Sequence, residues 1–192
     1  VYKAEQEMSK AISLDKNDIY YRNLSQLYTS HINLLASDKT VSQDTLKSDL
    51  QQLINLAQNS ALAAVSQNPK QYLNYVNLGS VYAALVPLGV QNSYENSLAA
   101  YDKALTLAPN NPSIILSKAT VEYIKSNNDE AKKYIQQALD LKPNYIDAIF
   151  LLVQIDTNEG NLSEAIKQAE YAGELAPTDP TVFFRLGLLR YN

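Results

Sequence analysis

One interval governs this chain. Ala104, Leu107 and Pro109 return 34 residues later as Ala138, Leu141 and Pro143, and 34 residues further on as Ala172, Leu175 and Pro177. Asn127 and Asn161, Glu130 and Glu164, and Ala131 and Ala165 keep the same step. Three copies at a fixed period of this length mean one supersecondary unit built repeatedly. Each copy is too small to bury its apolar face alone and must stack on its neighbours.

Within the period the pattern is helical. Ala131, Ile135, Ala138 and Leu139 fall at i, i+4, i+7 and i+8, an apolar stripe of period 3.6. Ile149, Leu152 and Val153, with Leu151, form a second stripe, and Gly160 stands where that helix should close. Asn127 and Asn161 each precede a Glu by three residues, which predicts an N-cap whose acid bonds back to the amide of the capping residue. Pro69, Pro109, Pro143 and Pro177 sit where a residue without a backbone N–H stops a helix. Pro112 and Pro180 follow Asn111 and Asp179, as first helical residues after a capping side chain do. Each period is therefore a helix, a turn and a second helix.

These residues resemble the tetratricopeptide repeat. In the copy that begins at 72, Tyr75, Leu78, Gly79, Tyr82, Tyr101, Ala104 and Pro109 match the family's large, small and proline positions, with Ser97 in place of an Ala. The copy from Ile146 supplies Ile149, Leu152, Ala165, Ala172 and Pro177. Upstream, Tyr21, Leu24, Ser25 and Tyr28 fit a copy that starts near Asp18, and Ala4, Met8 and Ala11 fit a second helix before it. Phe183, Leu186 and Gly187 begin a first helix at the other end. The resemblance implies an all-α, α-α superhelical solenoid of helix-turn-helix units, about ten helices in a single stack over 1–192. Its divisions are 1–17 (second helix of a truncated unit), 18–71, 72–111, 112–145, 146–179 and 180–192 (first helix of a truncated unit). The first residue is Val, not Met, and opens on a helical pattern, as in a fragment of a longer protein.

Two units are enlarged, with 54 and 40 residues where 34 is the norm. In the 18–71 unit the apolar residues Leu27, His31, Leu34 and Leu35, and later Leu46, Leu50, Leu53 and Ile54, continue beyond the usual helix lengths. This predicts a hairpin lengthened by roughly 15 Å at about ten extra residues per helix, with a polar tip over 37–44. In the 72–111 unit the apolar insertion Leu85-Val86-Pro87-Leu88-Gly89-Val90 is expected to pack on that hairpin.

Several chemistries are excluded. The chain has no Cys and a single His, so thiol, disulfide and multi-His metal sites are ruled out. It has no Gly-rich phosphate loop, zinc-protease helix or nucleophile elbow, and no catalytic residue, metal or cofactor is assigned. His31 is read as a packing residue rather than a general base. A net charge of −4 without a Lys/Arg cluster argues against nucleic acid as a partner. No apolar run approaches the roughly 18 residues a membrane helix needs, so this piece does not itself insert into a bilayer. Of the 14 tyrosines, Tyr21, Tyr28, Tyr75, Tyr82 and Tyr101 occupy core positions rather than a stacking or sugar-binding surface. Lys118 stands where the repeat wants Leu, so either its stem snorkels or its helix is rotated.

What the resemblance implies for function is a non-catalytic scaffold that holds a peptide or protein segment in a groove lined by the first helix of each unit. The family's groove positions and their neighbours fall on Arg22, Gln26, Val76, Asn77, Ser80, Leu116, Thr120, Tyr123, Phe150, Gln154, Phe184 and Tyr191. The early part is polar or small and the later part apolar and aromatic, which suits an extended peptide or an amphipathic helix. The alternative is that the last helix exposes residues a further repeat would cover, Leu188 above all. The carboxylate clamp of chaperone-binding members is incomplete, because Ser113 and Ser117 stand where basic groups are needed. Self-association through the open solenoid ends is a further expectation. The chain is also similar to the repeat tails of bacterial O-antigen ligase and polymerase-like membrane proteins, which implies the extracytoplasmic side of a cell envelope; the helical arm of a glycosyltransferase is a third reading.

Overall fold

The computed structural model describes residues 2–37 and 43–191. Among these residues every regular element is an α-helix, ten in all. The chain divides into two compact units, residues 1–109 and 110–192.

The first unit contains α1 (Tyr2–Leu14), α2 (Asp18–Ser37), α3 (Gln43–Gln67), α4 (Tyr72–Leu85) and α5 (Ser93–Leu107). Helices α2 and α3, with 20 and 25 residues, exceed the 12 to 15 of the other eight; α3 has the roughly ten extra residues expected and α2 fewer. Most of its expected polar tip, over 38–42, lies outside the described residues. The stripe Leu24, Tyr28 and Ile32, spaced by four, packs with Ile54, Ala57 and Ala61. Ile32 and the three alanines Ala57, Ala61 and Ala64 are fully buried. Small residues one turn apart let the helix axes approach, while each large apolar side chain removed from water contributes about 1.5–3 kcal/mol.

Gly79 has the same role between α4 and α5. A Cβ built there would lie 2.7 Å from the Tyr101 ring, so the aromatic occupies the space a side chain would need. Ser97, in the usual Ala position, is buried and donates its hydroxyl to the Gly79 carbonyl at 2.9 Å. The apolar insertion divides in two. Leu85 is buried, and Val90 packs on the core shared with α2 and α3, while Pro87, Leu88 and Gly89 form an exposed turn closed by Gly89 at φ +70°. At the base of the hairpin the buried Asn74 amide donates to the Ala64 and Asn68 carbonyls and to the Asp18 carboxylate, at 3.0, 2.9 and 3.0 Å. One side chain at the start of α4 thus ties the end of α3 to the start of α2.

The second unit contains α6 (Pro112–Ile124), α7 (Asn128–Leu141), α8 (Ile146–Asn158), α9 (Leu162–Leu175) and α10 (Pro180–Tyr191). Asn111 and Asp179 cap as expected, accepting from the Ser113 and Thr181 amides at 3.0 and 2.8 Å. Asn127 and Asn161 do not: neither side chain caps its helix. Their own backbone amides already donate to the Glu122 and Asp156 carbonyls, at 2.9 and 2.8 Å, in the turn that closes the preceding helix. The amide that the acid was to accept from is taken. Glu130 and Glu164 pair instead with Lys133 and Lys167, three residues on.

Lys118 is buried rather than snorkelled, its ammonium 4.5 Å above the Tyr134 ring. A charged group spans α7, α8 and α9. Lys132 donates to Asp156 and to Glu159, both at 2.7 Å, and Gln168 donates to the other Asp156 oxygen at 2.8 Å. Burial pushes the Asp156 carboxyl up, but the bonds from Lys132 and Gln168 outweigh it and hold the group below the usual carboxylate range. The same two carboxylates raise the Lys132 ammonium above its ordinary value. Around this group Ile149, Phe150, Val153, Ala165, Ala169, Ala172, Val182 and Leu186 form the apolar core.

Candidate binding clefts

In the first unit a cleft of about 530 Å³ lies between α2 and α4 and gathers five of the residues expected from sequence: Arg22, Gln26, Val76, Asn77 and Ser80. One face of each helix supplies them. Arg22, Gln26, Thr29 and Asn33 follow one another at three or four residues along α2, and Leu73, Val76, Ser80 and Ala84 do the same along α4. No acidic side chain is in this lining.

The floor of the cleft carries an unmet demand. Ser25 donates its one hydroxyl hydrogen to the Arg22 carbonyl at 2.8 Å. It can therefore only accept from Asn77, whose Nδ2 donates to it at 2.6 Å. That fixes the orientation of the Asn77 amide and leaves its Oδ1 buried without a partner, as is the Nη1 of Arg22. Asn77 is 5% exposed. A buried acceptor or donor left unmade costs about 1–3 kcal/mol, so such groups mark either a water site or a ligand site.

In the second unit a smaller cleft, about 230 Å³, brings together four expected residues, Leu116, Thr120, Phe150 and Gln154. Asp147, Leu151 and Arg185 complete it. Phe150 is not displayed as the sequence suggested. It is buried in the core, with the Arg185 guanidinium 4.6 Å from its ring centroid. A guanidinium placed over a ring can still use its in-plane N–H donors for a partner. Tyr123 lies outside this cleft; its hydroxyl accepts from Asn158 at 2.7 Å and holds the end of α8. Phe184 and Tyr191 are also outside it, 67% and 90% exposed on α10.

A third cleft, about 460 Å³, belongs to the lengthened hairpin and was not foreseen. Glu5, Tyr28, His31, Leu34, Leu35, Asp49, Gln52, Leu53 and Leu56 line it. The buried Tyr28 hydroxyl donates to Glu5 at 2.6 Å. Burial, and then Glu5 as acceptor and as a negative charge, raise this phenol well above its ordinary value and keep it a donor. Sequence held one signal for this site: neither Glu5 nor Asp49 has a Lys or Arg three or four residues away. Among the described residues no group of three or more His, Cys, Asp or Glu gathers as a metal site. No helix there is long and apolar enough to cross a membrane.

Comparison with known proteins gives the following likenesses. A family model described as tetratricopeptide repeat matches residues 124–183. A curated relative, the formate-dependent nitrite reductase complex subunit NrfG of Escherichia coli O157:H7, is 31% identical over 106 residues, 54% of this chain and 50% of the relative. The chain thus spans about half the length of the curated relative it matches. The crystal structure of TTC0263, a thermophilic TPR protein of Thermus thermophilus, aligns over 100% of this chain and 99% of its own at 18% identity, TM-score 0.65. YrrB, described as a TPR protein with an unusual peptide-binding site, aligns over 95% of this chain and 81% of its own at 23% identity, TM-score 0.51. The similarity to O-antigen ligase tails has no counterpart among these relatives.

Proposed function

From a chain that folds as a tetratricopeptide-repeat solenoid, we propose a protein-interaction scaffold that holds an extended segment of another protein in the cleft between α2 and α4. The observation that carries this reading is the pair of orphaned atoms at the cleft floor, Asn77 Oδ1 and Arg22 Nη1. A peptide group presents one N–H and one C=O, the two complements those atoms lack. The remaining lining is amide, hydroxyl and small apolar groups, which accept main chain without demanding a particular side chain. The likeness to YrrB, with its unusual peptide-binding site, supports the same direction. No reaction is placed in this chain; the clefts offer hydrogen bonds, not a nucleophile with its base.

The second-unit cleft is proposed as a separate site with a different preference. Arg185 over Phe150, with Asp147, Thr120 and Gln154 in the same lining as Leu116 and Leu151, suits a polar group that both donates and accepts beside an apolar side chain. Self-association through the exposed Phe184, Leu188 and Tyr191 of α10 is the remaining expectation, and light scattering of wild type against Phe184→Ser checks it.

The central test uses peptides selected from a displayed library on the full chain. Arg22→Ala is expected to weaken their binding about tenfold, since a hydrogen bond to a charged group contributes about 1.5–3 kcal/mol. Asn77→Ala should weaken it similarly, with far-UV circular dichroism unchanged in both variants. Peptides that bind both variants as tightly as wild type would remove the cleft from the account.

A further inference from the structure

The lengthened hairpin raises a question the repeat does not answer. An ordinary unit closes its core without the additional turns, yet here the added turns carry five lining residues of the 460 Å³ cleft: Leu34, Leu35, Asp49, Gln52 and Leu53. We infer that this cleft is a second docking site, and that its occupant is a partner segment presenting a lysine or arginine next to an apolar side chain.

Three observations select that chemistry. The first is shape: the cleft is of the size of small side-chain or ligand pockets, and its walls are four leucines, Leu34 67% exposed and Leu35, Leu53 and Leu56 half-buried. The second is charge. Glu5 and Asp49 both open onto it, and no lysine or arginine is in the described lining. Glu5 has one oxygen committed to Tyr28 and Asp49 has no ion-pair partner among the described residues. The third is order. The Tyr28 hydroxyl, buried on α2, fixes the Glu5 carboxylate of α1 at the mouth, so part of the entropy of pairing is lost before a ligand arrives. A long aliphatic stem that ends in a cation matches leucine walls ending in carboxylates, because Lys and Arg lay their methylenes on apolar surface while the head group seeks its counter-ion. An anion would meet two like charges, and a purely apolar segment would leave Glu5 and Asp49 desolvated without compensation.

The site is distinct from the cleft between α2 and α4 and does not depend on the function proposed for it. The test is a methyl NMR titration of the full chain with acetyl-Leu-Lys-Leu-amide and its norleucine counterpart, which keeps the stem and removes the charge. The lysine peptide is expected to shift the methyl signals of Leu34, Leu53 and Leu56, and norleucine to weaken binding about fivefold to tenfold. Asp49→Asn, on an exposed helical position that the fold does not use, should weaken the lysine peptide comparably and leave the norleucine peptide unchanged. Arg22→Ala, in the other cleft, should alter neither. Equal binding of the two peptides would overturn the proposal, as would shifts confined to other leucines or no shift at millimolar peptide. Loss of binding in Arg22→Ala but not in Asp49→Asn would reassign the signal to the first cleft.

Discussion

Two glycines show that one residue type can be required for unrelated reasons. Gly160 adopts φ +80°, and a Cβ there would meet nothing within 4 Å, so the demand is purely conformational. Gly160→Ala should cost about 1–2 kcal/mol and Gly160→Asn less, because Asn tolerates the left-handed region. Gly79 is helical, and its demand is spatial, set by the Tyr101 ring 2.7 Å from the missing Cβ. Gly79→Ala should cost about 1–3 kcal/mol, and adding Tyr101→Leu should return part of that loss. Urea unfolding of the single and double variants measures both, and a Gly160→Ala cost that Tyr101→Leu relieves would contradict the distinction. Gly160 was legible in sequence because a helix end is a local event. The contact that needs Gly79 joins residues 22 positions apart, and only its membership in the repeat pointed to it. Asn127 and Asn161 were misread at the same scale: the capping pattern was present, but the preceding helix had already used the amide it required.

At the level of elements, the link between α7, α8 and α9 through Lys132, Asp156, Glu159 and Gln168 predicts a pH dependence. The folded state holds the Asp156 carboxyl below its ordinary range, so its stabilisation is present above the unfolded value of about 4 and is lost as pH falls through the lower folded value. The folded state also raises Lys132, so that contribution is complete below about pH 10 and is lost on rising through the higher folded value. Between these limits the group contributes a plateau. Asp156→Asn should lower stability across the plateau and flatten the acid limb in a series of urea melts. An acid limb unchanged by the substitution would show that other carboxylates set it. The helices themselves were readable from their apolar period and their prolines. The ion group was not, because its members come from three elements and no local spacing joins Lys132 to Asp156.

For the whole molecule, most of the packing described joins helices adjacent in sequence: α2 with α3, α4 with α5, α6 with α7 and α8 with α9. Contacts of this local kind favour fast folding, so each unit should refold within milliseconds in stopped-flow fluorescence. A main phase of seconds, beyond the slow minor phase that isomerisation of the seven prolines adds, would argue against it. The clefts divide along the same lines of legibility. The one between α2 and α4 fell on positions the repeat dictates, so five of its residues could be named beforehand. The hairpin cleft arises from an insertion, where the family offers no template; its carboxylates could be noticed as unpaired along their own helices, but not brought together until α1 was placed beside α2.

The Asn74 amide joins three helix ends at the base of the hairpin, while the added turns project from the opposite end. Length at that far end is thus decoupled from the anchorage of the stack. The hairpin behaves as a boom on a fixed base: beyond the turn that holds the buried Ile32, turns could be added in pairs, or a foreign module spliced in, and the repeat beneath would keep its register.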